Sequence, residues 1–258
     1  MATYIRGDIH GVFSEIVTFR KKMKLKAGDN IIILGDAAIC WRKDREDMNS
    51  YVKQWENYKD TPMLYFIDGN HENFDILNSL PIENNEGIVS KHIHWIKRGS
   101  IKTFENKKCL FIGGAESLDK FRRTEHLSWW VDETITDEDI ELIKKDKYDY
   151  VFTHTCPRSV LNKYKALLCN SLFDQDEIDY TSEDQLEIVK NKIEYKQWWF
   201  AHFHQNVQLN DKFMCLYDRW ETIDWELDEA EAAFDKMAEV FIEVGTQAED
   251  WSASRRTQ

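Results

Sequence analysis

The chain has 258 residues, 42% of them hydrophobic, and a formal net charge of −13. This length and composition allow one domain with a sizeable core, and the negative charge disfavours broad nonspecific binding to long DNA or RNA. No apolar stretch approaches the length of a membrane span, so no membrane insertion is expected. No signal peptide is expected, and five cysteines without Cys-x-x-Cys spacing predict reduced thiols and a cytoplasmic location.

Short hydrophobic runs rich in β-branched and aromatic residues recur along the chain and predict buried strands, each followed by a polar cluster. In chain order these clusters are Gly7-Asp8-Ile9-His10-Gly11 after the first strand, Gly35-Asp36 after residues 31–34, Gly69-Asn70-His71-Glu72 after residues 63–67, His154 after residues 150–152, and His202-Phe203-His204 after residues 198–201. In layered α/β proteins, ligands bind at the carboxyl ends of the strands. The clusters are therefore expected to meet in one site.

Apolar residues at helical spacing predict helices over residues 12–25 and 44–58, between these strands. An acidic-to-basic progression over residues 136–147 matches a helix dipole, with Thr136 as the N-cap. His92 and His94 alternate in a hairpin-like stretch. A His-x-His pair can ligate a metal, but both side chains are expected on the exposed side of an edge strand.

The motif order Asp-x-His, Gly-Asp, Gly-Asn-His, a lone His and a final His-x-His resembles that of the calcineurin-like metallophosphoesterases. The resemblance covers roughly residues 3 to 220. One such motif occurs often by chance, whereas five in this order, each after a strand, form a specific signal. The chain departs from the family pattern at Ala38, where Gly is common, and at Ala201, which replaces the Gly of the final motif. Neither change removes a ligand.

The resemblance implies an α/β fold, a four-layer αββα sandwich of two facing mixed sheets flanked by helices. It also implies two divalent metal ions, with manganese expected and iron, zinc or nickel compatible with the same oxygen and imidazole ligands. Carried over residue by residue, the ligands of one metal are Asp8, His10, Asp36 and His204. Those of the other are Asp36, Asn70, His154 and His202, so the Asp36 carboxylate would bridge the two ions.

His71, next to Asn70, resembles the general acid that protonates the departing oxygen, with a role in anchoring a ligand as the alternative. A metal-bound hydroxide would be the nucleophile, so no covalent enzyme intermediate is needed. Taken singly, a buried Asp or His beside a glycine can instead cap a turn. Glu72 is expected to be structural.

A Gly-Gly-Ala segment at residues 113–115 follows another predicted strand at residues 109–112. Similar segments line the active site in some members of the family. Two glycines at a strand end let the backbone approach a ligand closely. Arg122 or Arg123 is then a candidate phosphate clamp, and His126 a candidate substrate contact. In the alternative, the arginines pair with Asp119 or Glu125 and the tryptophans that follow fill the core.

The resemblance predicts metal-dependent hydrolysis of a small phosphomonoester or phosphodiester, such as a nucleotide stacked on a tryptophan. The alternative is a serine/threonine-type protein phosphatase with atypical phosphate clamps. That subfamily follows Gly-Asp with Val-Asp-Arg-Gly and places Arg before Gly-Asn-His, where this chain has Ala-Ala-Ile-Cys at residues 37–40 and Asp68. A nuclease and a metal-binding module without turnover are further alternatives.

The sequence divides into a predicted metallophosphoesterase domain over residues 1–227 and an acidic tail over residues 228–258. Apolar residues at helical spacing predict an amphipathic helix in the tail up to about Glu243, followed by a loose end. The helix is expected to pack on its own domain or, alternatively, on a second copy of the chain in a homo-oligomer.

Overall fold

The computed structural model describes residues 1–169 and 178–223. The strands of this part of the chain are β1 Thr3–Arg6, β2 Asn30–Ile33, β3 Met63–Phe66, β4 Ile82–Glu83, β5 Glu86–Ser90, β6 Ile93–Ile96, β7 Ser100–Phe104, β8 Lys107–Ile112, β9 Lys147–Thr153, β10 Glu194–Phe200, β11 Val207–Gln208, β12 Phe213–Cys215 and β13 Glu221–Thr222. Its α-helices are α1 Phe13–Met23, α2 Glu46–Glu56, α3 Phe74–Leu77, α4 Asp137–Glu141, α5 Arg158–Leu168 and α6 Thr181–Lys192. Short 3-10 turns occur at Lys120–Arg122 and Val131–Glu133.

The strands form two sheets with parallel centres and antiparallel margins. One sheet has the order β13-β1-β2-β3-β6-β5-β4 and the other β11-β12-β10-β9-β8-β7. Strands β1, β2, β3 and β6 run parallel in the first sheet, as do β8, β9, β10 and β12 in the second. Both sheets are therefore mixed, and the carboxyl ends of the central strands lie along one edge of each sheet.

Three apolar clusters separate the layers. The cluster between the two sheets includes Ile5, Ile32, Phe111, Phe152 and Trp199. The outer face of the first sheet is covered by α1 and α2 through Phe13, Ile16 and Trp55, and that of the second by α5 and α6 through Leu161, Tyr164, Leu186 and Val189. Strands buried on both faces read as continuous hydrophobic runs, as they do here. The layers confirm the predicted αββα sandwich.

The helices are shorter than their sequence patterns predict. The first two predicted helices, over residues 12–25 and 44–58, are observed as α1 and α2, which lose one or two residues at each end. The third, predicted over residues 136–147, ends at Glu141 because the chain must reach the start of β9 at Lys147. Its predicted N-cap is present: Thr136 and Asp139 form a reciprocal capping box.

The two histidines of the His-x-His pair do not lie on an exposed edge, so that expectation was wrong. His94 belongs to β6, which lies inside the first sheet between β3 and β5. Its Nδ1 lies 2.6 Å from Glu86 Oε2, and His92 Nδ1 lies 2.5 Å from Glu56 Oε2. Both rings thus tie neighbouring elements together through carboxylates.

Within residues 1–169 and 178–223, no helix has the length and apolar composition needed to cross a membrane. The predicted tail of residues 228–258, with its amphipathic helix, lies outside the described residues. The proposed domain boundary and the homo-oligomer contact through that helix therefore stay predictions.

Candidate metal centre

The five polar clusters follow β1, β2, β3, β9 and β10, and their side chains converge at the carboxyl ends of both sheets. His154, from the second sheet, has its Nε2 3.4 Å from Asp36 Oδ1, which comes from the first sheet. The centre is thus built across the two sheets. Its seven candidate ligands are Asp8, His10, Asp36, Asn70, His154, His202 and His204, and the structure brings all seven together.

One half of the centre surrounds Asp8 and His10. The Nε2 atoms of His10 and His204 are 2.9 Å apart, and His204 Nε2 lies 3.6 Å from Asp8 Oδ2. His10 Nδ1 lies 3.8 Å from Asp36 Oδ2. Ligand atoms of Asp8, His10 and His204 all lie within 4.8 Å of one another, a spacing that suits a shared cation.

The other half surrounds Asn70. Its Oδ1 lies 3.2 Å from His154 Nε2 and 3.0 Å from His202 Nδ1. Asp36 contacts both halves, since its Oδ1 faces His154 and its Oδ2 faces His10. The carboxylate that the resemblance makes a bridge therefore lies between the two groups of ligands.

The backbone at the centre is held in an uncommon conformation. Four of the seven candidate ligands have positive φ: His10 at 44°, Asp36 at 46°, His202 at 67° and His204 at 54°. Left-handed φ is rare outside glycine and costs on the order of 1 kcal/mol or more per residue. Strain of this kind concentrates where the surrounding structure must aim side chains at a shared point.

The glycine before Asn70, Gly69, lets its loop pack closely against the loops that carry Asp36 and His154. A Cβ added at Gly69 would lie 2.2 Å from Asp36 Oδ1 and 2.8 Å from His154 Nε2. Any larger residue there would displace the Asp36 carboxylate or the His154 imidazole. The Gly of the Gly-Asn-His motif is thus required by the packing of the centre.

Asp8 provides the clearest sign that the centre fits cations. It is 1% exposed, and among the described residues no donor contacts its carboxylate oxygens at short hydrogen-bonding distance, the imidazole nitrogens of His154 and His204 lying 3.6 Å away. Burial raises the pKa of Asp8 well above its ordinary value, with the charge of His154 opposing the shift. A buried carboxylate without strong donors is costly, and a divalent cation would offset that cost. The mixed carboxylate, imidazole and amide donors fit a divalent metal.

The pKa values of the histidines show how the side chains of the centre balance their charges. Burial lowers the pKa of His154, but the charge of Asp36 and their hydrogen bond outweigh it and raise the pKa to about 9. Burial and the charge of His154 lower the pKa of His202 to about 3. For Asp36, burial raises the pKa, but His154 outweighs it and holds the pKa below its ordinary value. A proton on His154 thus offsets a carboxylate charge, and metal binding would displace that proton.

The backbone fixes the orientation of the His154 ring. Its Nδ1 lies 2.7 Å from the carbonyl oxygen of Leu34, so Nδ1–H donates to that oxygen. The lone pair of Nε2 is then directed toward Asn70 and Asp36 once the ring is neutral. This arrangement, in which the second ring nitrogen donates to a carbonyl, is usual for metal-binding histidines.

Glu72 supports the loop that carries Asp36. It is fully buried, and its Oε1 accepts hydrogen bonds from the backbone N–H groups of Ala37 and Ala38 at 2.7 and 3.2 Å. Its contacts are those of the structural residue that the sequence predicts. The presence of Ala38 in place of the usual Gly is accommodated with φ at 49°.

His71 and Arg123 lie together beside the centre. The backbone N–H of His71 donates to Asp36 Oδ1 at 2.7 Å. Arg123 Nη1 and Nη2 lie 3.4 and 3.3 Å from the two ring nitrogens of His71, so the guanidinium runs alongside the imidazole. Burial, with a further contribution from Arg123, lowers the pKa of His71, and Asp36 opposes the shift. Arg123 also pairs through Nε with Asp119 at 2.7 Å.

The other substrate candidates lie farther out. Arg122 is exposed, and its guanidinium packs over the Phe121 ring at 5.1 Å. His126 is also exposed, and its Nδ1 lies 3.0 Å from Asp75 Oδ1. Of the two arginines, the structure therefore brings only Arg123 to His71.

A cavity of about 530 Å³ has Trp41 in its wall. Its wall is formed by Trp41, Arg42, Lys43, Asp44, Asn73, His126 and Leu127. The centroids of the Trp41 and His71 rings are 6.3 Å apart, and Trp41 also packs against buried Trp130 at 5.8 Å. His126 thus lines a space next to the centre instead of the centre itself.

A family model described as calcineurin-like phosphoesterase matches residues 1–206 of the chain. The chain is a calcineurin-like phosphoesterase. The match includes all five clusters of the centre, so this phosphoesterase carries its candidate ligands inside the matched region. It is accordingly a hydrolase of phosphate esters whose Asp and His groups can bind metal ions.

A solved structure adds one comparison. The phosphoesterase is similar to a protein serine/threonine phosphatase from Saccharomyces cerevisiae that is described as similar to human phosphatase PP5. The two are 12% identical with a TM-score of 0.34, over 84% of this chain and 67% of that one. The comparison with curated proteins gave no match.

Three residues that the sequence did not single out as site residues connect to Asn70 or to Asp68 near it: Ser117, Glu133 and Arg98. Ser117 Oγ lies 3.3 Å from Asn70 Nδ2, and Glu133 accepts hydrogen bonds from Ser117. Ser117 lies two residues after the Gly-Gly-Ala segment, and this position was the only feature of the sequence that pointed to it. Arg98 and Glu133 belong to no motif of the chain.

Proposed function

We propose that this phosphoesterase hydrolyses small phosphomonoesters or phosphodiesters, such as nucleotides, at a dinuclear metal centre. The proposed ligands are Asp8, His10, Asp36, Asn70, His154, His202 and His204. The observation that carries the proposal is the position of His71 and Arg123 beside this cluster. They place a proton donor and a guanidinium next to the point where a phosphoryl group would sit.

Two divalent ions, when bound, would supply an activated water and offset the charge that develops on the phosphoryl oxygens. Manganese is the proposed ion, and iron, zinc and nickel suit the same donors. The chain's own residues supply position. Asp36 connects the two ligand groups, while the His154 ring is held by the Leu34 carbonyl.

Arg123 is the proposed phosphate clamp. Its Nε is committed to Asp119 and its Nη1 to the Ser128 carbonyl, which anchors the guanidinium on its outer side. The remaining donors face His71. A planar guanidinium held in this way can donate two hydrogen bonds to a phosphoryl group without a large loss of side-chain entropy.

His71 is the proposed general acid. Its backbone N–H is tied to Asp36, so the ring has a defined position relative to the ligands. Burial and the adjacent Arg123 lower the pKa of the ring, so that the ring, when protonated, is a stronger acid toward a departing alkoxide. The cavity with Trp41 in its wall would then receive the leaving group, since the Trp41 ring centroid lies 6.3 Å from that of His71. A flat leaving group such as a nucleoside suits that wall.

The protein phosphatase alternative is weakened at both of its diagnostic positions. Asp68, where that subfamily has a phosphate-holding arginine, is fully buried and pairs with Arg98 at 2.7 Å. Ala37, Ile39 and Cys40, which stand in the region of the second arginine, are buried as well. Neither position offers a cation to a phosphopeptide. Long nucleic acids are also outside the proposal, given the net charge of −13.

Metal removal tests the proposal directly. Metal-stripped protein is expected to hydrolyse neither an aryl phosphomonoester nor an aryl phosphodiester, and addition of Mn²⁺ is expected to restore turnover of at least one. Initial rates with each ester, and with a phosphopeptide in parallel, decide between the small-ester and protein phosphatase assignments. Turnover of the phosphopeptide alone would favour the protein phosphatase, and turnover that survives complete removal of metal would contradict the dinuclear centre.

Neighbouring arginines provide a matched pair of variants. Arg123→Ala is expected to lower kcat/KM by roughly 10–100-fold, because a charged hydrogen bond of about 1.5–3 kcal/mol to the phosphoryl group is lost. Arg122→Ala removes the same charge from an exposed position that packs on Phe121, and little change is expected. Steady-state kinetics with Mn²⁺ present measure both. Equal losses in the two variants would show that overall charge, and not the clamp, attracts the substrate.

A further inference from the structure

Asn70 can serve as a metal ligand in only one of its two amide orientations. The carbonyl oxygen Oδ1 binds a cation, whereas the NH₂ group repels one. In the structure Oδ1 faces His154 and His202, and Nδ2 lies 3.3 Å from Ser117 Oγ. What holds the amide this way is therefore part of the metal centre.

A buried chain of hydrogen bonds leads from Asn70 to Glu133. The Ser117 hydroxyl donates to Glu133 Oε2 at 2.9 Å, and its backbone N–H donates to Glu133 Oε1 at 2.6 Å. Trp129 Nε1 donates to the same Oε1 at 2.8 Å. Asn70, Ser117 and Glu133 are 5%, 2% and 1% exposed, so solvent does not compete for these bonds.

The direction of these bonds determines the orientation of the amide. Burial raises the pKa of Glu133 to about 7, with the hydrogen bonds from Ser117 and Trp129 opposing the shift. Above that pH the ionised carboxylate only accepts hydrogen bonds, so the Ser117 hydroxyl donates its hydrogen bond to Glu133. With its proton committed, the Ser117 oxygen can only accept from Asn70. The partner it requires is the NH₂ group, which leaves the carbonyl oxygen on the side of His154 and His202.

We propose that Glu133, acting through Ser117, is a positioning residue that keeps the oxygen of Asn70 directed at the metal. This inference rests on the proposed function, since it assigns Asn70 to the metal centre. Glu133 does not touch the substrate or the ions. It acts on the affinity of one of the two metal positions by excluding the flipped amide.

Arg98 anchors this positioning unit to the strand end before Asn70. Its guanidinium pairs with Asp68, two residues before Asn70, and donates to the backbone carbonyls of Asp132, Glu133 and Thr134 at 2.7, 3.1 and 2.7 Å. The segment that carries Glu133 is therefore held in register with the Gly-Asn-His loop. Asp68 has a structural use here, which accounts for an acid in place of the arginine of the protein phosphatases.

The fold contains a second, similar unit that does not end on a metal ligand. Glu116 Oε1 accepts hydrogen bonds from the backbone N–H and hydroxyl of Ser182 at 3.0 and 2.8 Å. The Ser182 oxygen in turn accepts from the backbone N–H of Ile135 at 2.9 Å. Glu116 is 4% exposed and thus nearly as buried as Glu133. The two carboxylates differ in what lies at the far end of the serine, which makes Glu116 a matched control.

The test compares Mn²⁺ binding by metal-stripped wild type, Glu133→Gln, Ser117→Ala and Glu116→Gln, using calorimetric titration. In Glu133→Gln the new NH₂ group competes for Ser117, whose hydroxyl proton then finds its acceptor in a flipped Asn70. Affinity at one of two sites is expected to fall by roughly 10–100-fold. Ser117→Ala is expected to weaken the same site, because Asn70 loses its partner, and Glu116→Gln is expected to retain both affinities. The electron paramagnetic resonance spectrum of bound Mn²⁺ gives a second readout. In Glu133→Gln and Ser117→Ala it is expected to change from the spectrum of two neighbouring Mn²⁺ ions to that of a single ion.

The outcomes separate this inference from the proposed function. Thermal unfolding of each metal-free variant shows whether it is folded, and Ser117→Ala provides the decisive measurement if Glu133→Gln is not. Wild-type affinity at both sites in folded Glu133→Gln and Ser117→Ala, or an equal loss in Glu116→Gln, would overturn the inference. Wild type that binds two ions but hydrolyses no phosphate ester would overturn the proposed reaction and leave the binding comparison valid. Wild type that binds no divalent ion would overturn both.

Discussion

Replacing Asp36 by Asn is expected to abolish metal-dependent hydrolysis, with a loss in kcat/KM of about 10³-fold or more. The two oxygens of the Asp36 carboxylate face different ligand groups, Oδ1 toward His154 and Oδ2 toward His10. An amide has nearly the same volume but no negative charge to offset two cations, and only one of its two terminal atoms can ligate. Calorimetric titration with Mn²⁺ should show weaker binding of both ions, in parallel with the loss of ester hydrolysis.

Asp29→Asn provides the control for the removal of a buried carboxylate. Asp29 is 8% exposed and accepts hydrogen bonds from the backbone N–H groups of Ala2 and Lys26 at 2.9 and 3.1 Å, away from the metal centre. The Asp29→Asn variant should have a lower melting temperature than the wild type but the same metal affinity. Full turnover in folded Asp36→Asn would exclude the bridging arrangement and therefore the proposed centre.

Replacing His71 by Ala is expected to lower kcat by about 10²–10⁴-fold for an alkyl phosphate ester while metal binding is retained. An alkoxide needs a proton as it departs, and the His71 ring is the proposed donor. An aryl ester with an acidic phenol as its leaving group needs that proton much less, so its loss should be far smaller. The ratio of the two losses measures proton donation separately from binding.

A ligand-anchoring role for His71 predicts a different pattern. Loss of an anchor would weaken Mn²⁺ binding and would lower the rates of both esters by the same factor. His92→Ala, which removes an imidazole paired with Glu56 outside the centre, should leave both rates unchanged. Equal losses for the alkyl and aryl esters in His71→Ala would therefore reject the general acid.

Much of the fold could be read from local pattern. Runs such as residues 31–34 are apolar on both faces, because strands buried between a second sheet and a helix layer contact no solvent on either side. Their element type was therefore predictable. Boundaries were less so: the helix predicted over residues 136–147 stops at Glu141, since its end depends on where β9 begins. For this helix, the charge pattern predicted the N-terminal end correctly but not the C-terminal end.

The proposed ligands were also accessible from sequence, because each directly follows a strand and the resemblance supplies their order. Adjacent positions were not resolved in the same way. Arg122 and Arg123 are identical residues in one short turn, and only the turn's orientation directs Arg123 to His71 and Arg122 to Phe121. A pattern that depends on residue type carries no information about which of two equal neighbours faces the site.

The approximate positions of the strands, the donor types and their order along the chain could be predicted without the structure, since they follow from hydrophobic runs and from motifs of a few neighbouring residues. The hydrogen-bond chain from Glu133 through Ser117 to Asn70 and the pairing of Arg98 with Asp68 could not be predicted, because they arise from the tertiary packing. Those contacts join residues 16 to 47 positions apart, across loops that have no periodicity. Their geometry depends on how the layers pack, because a hydrogen bond forms only when donor and acceptor meet at the right distance and angle.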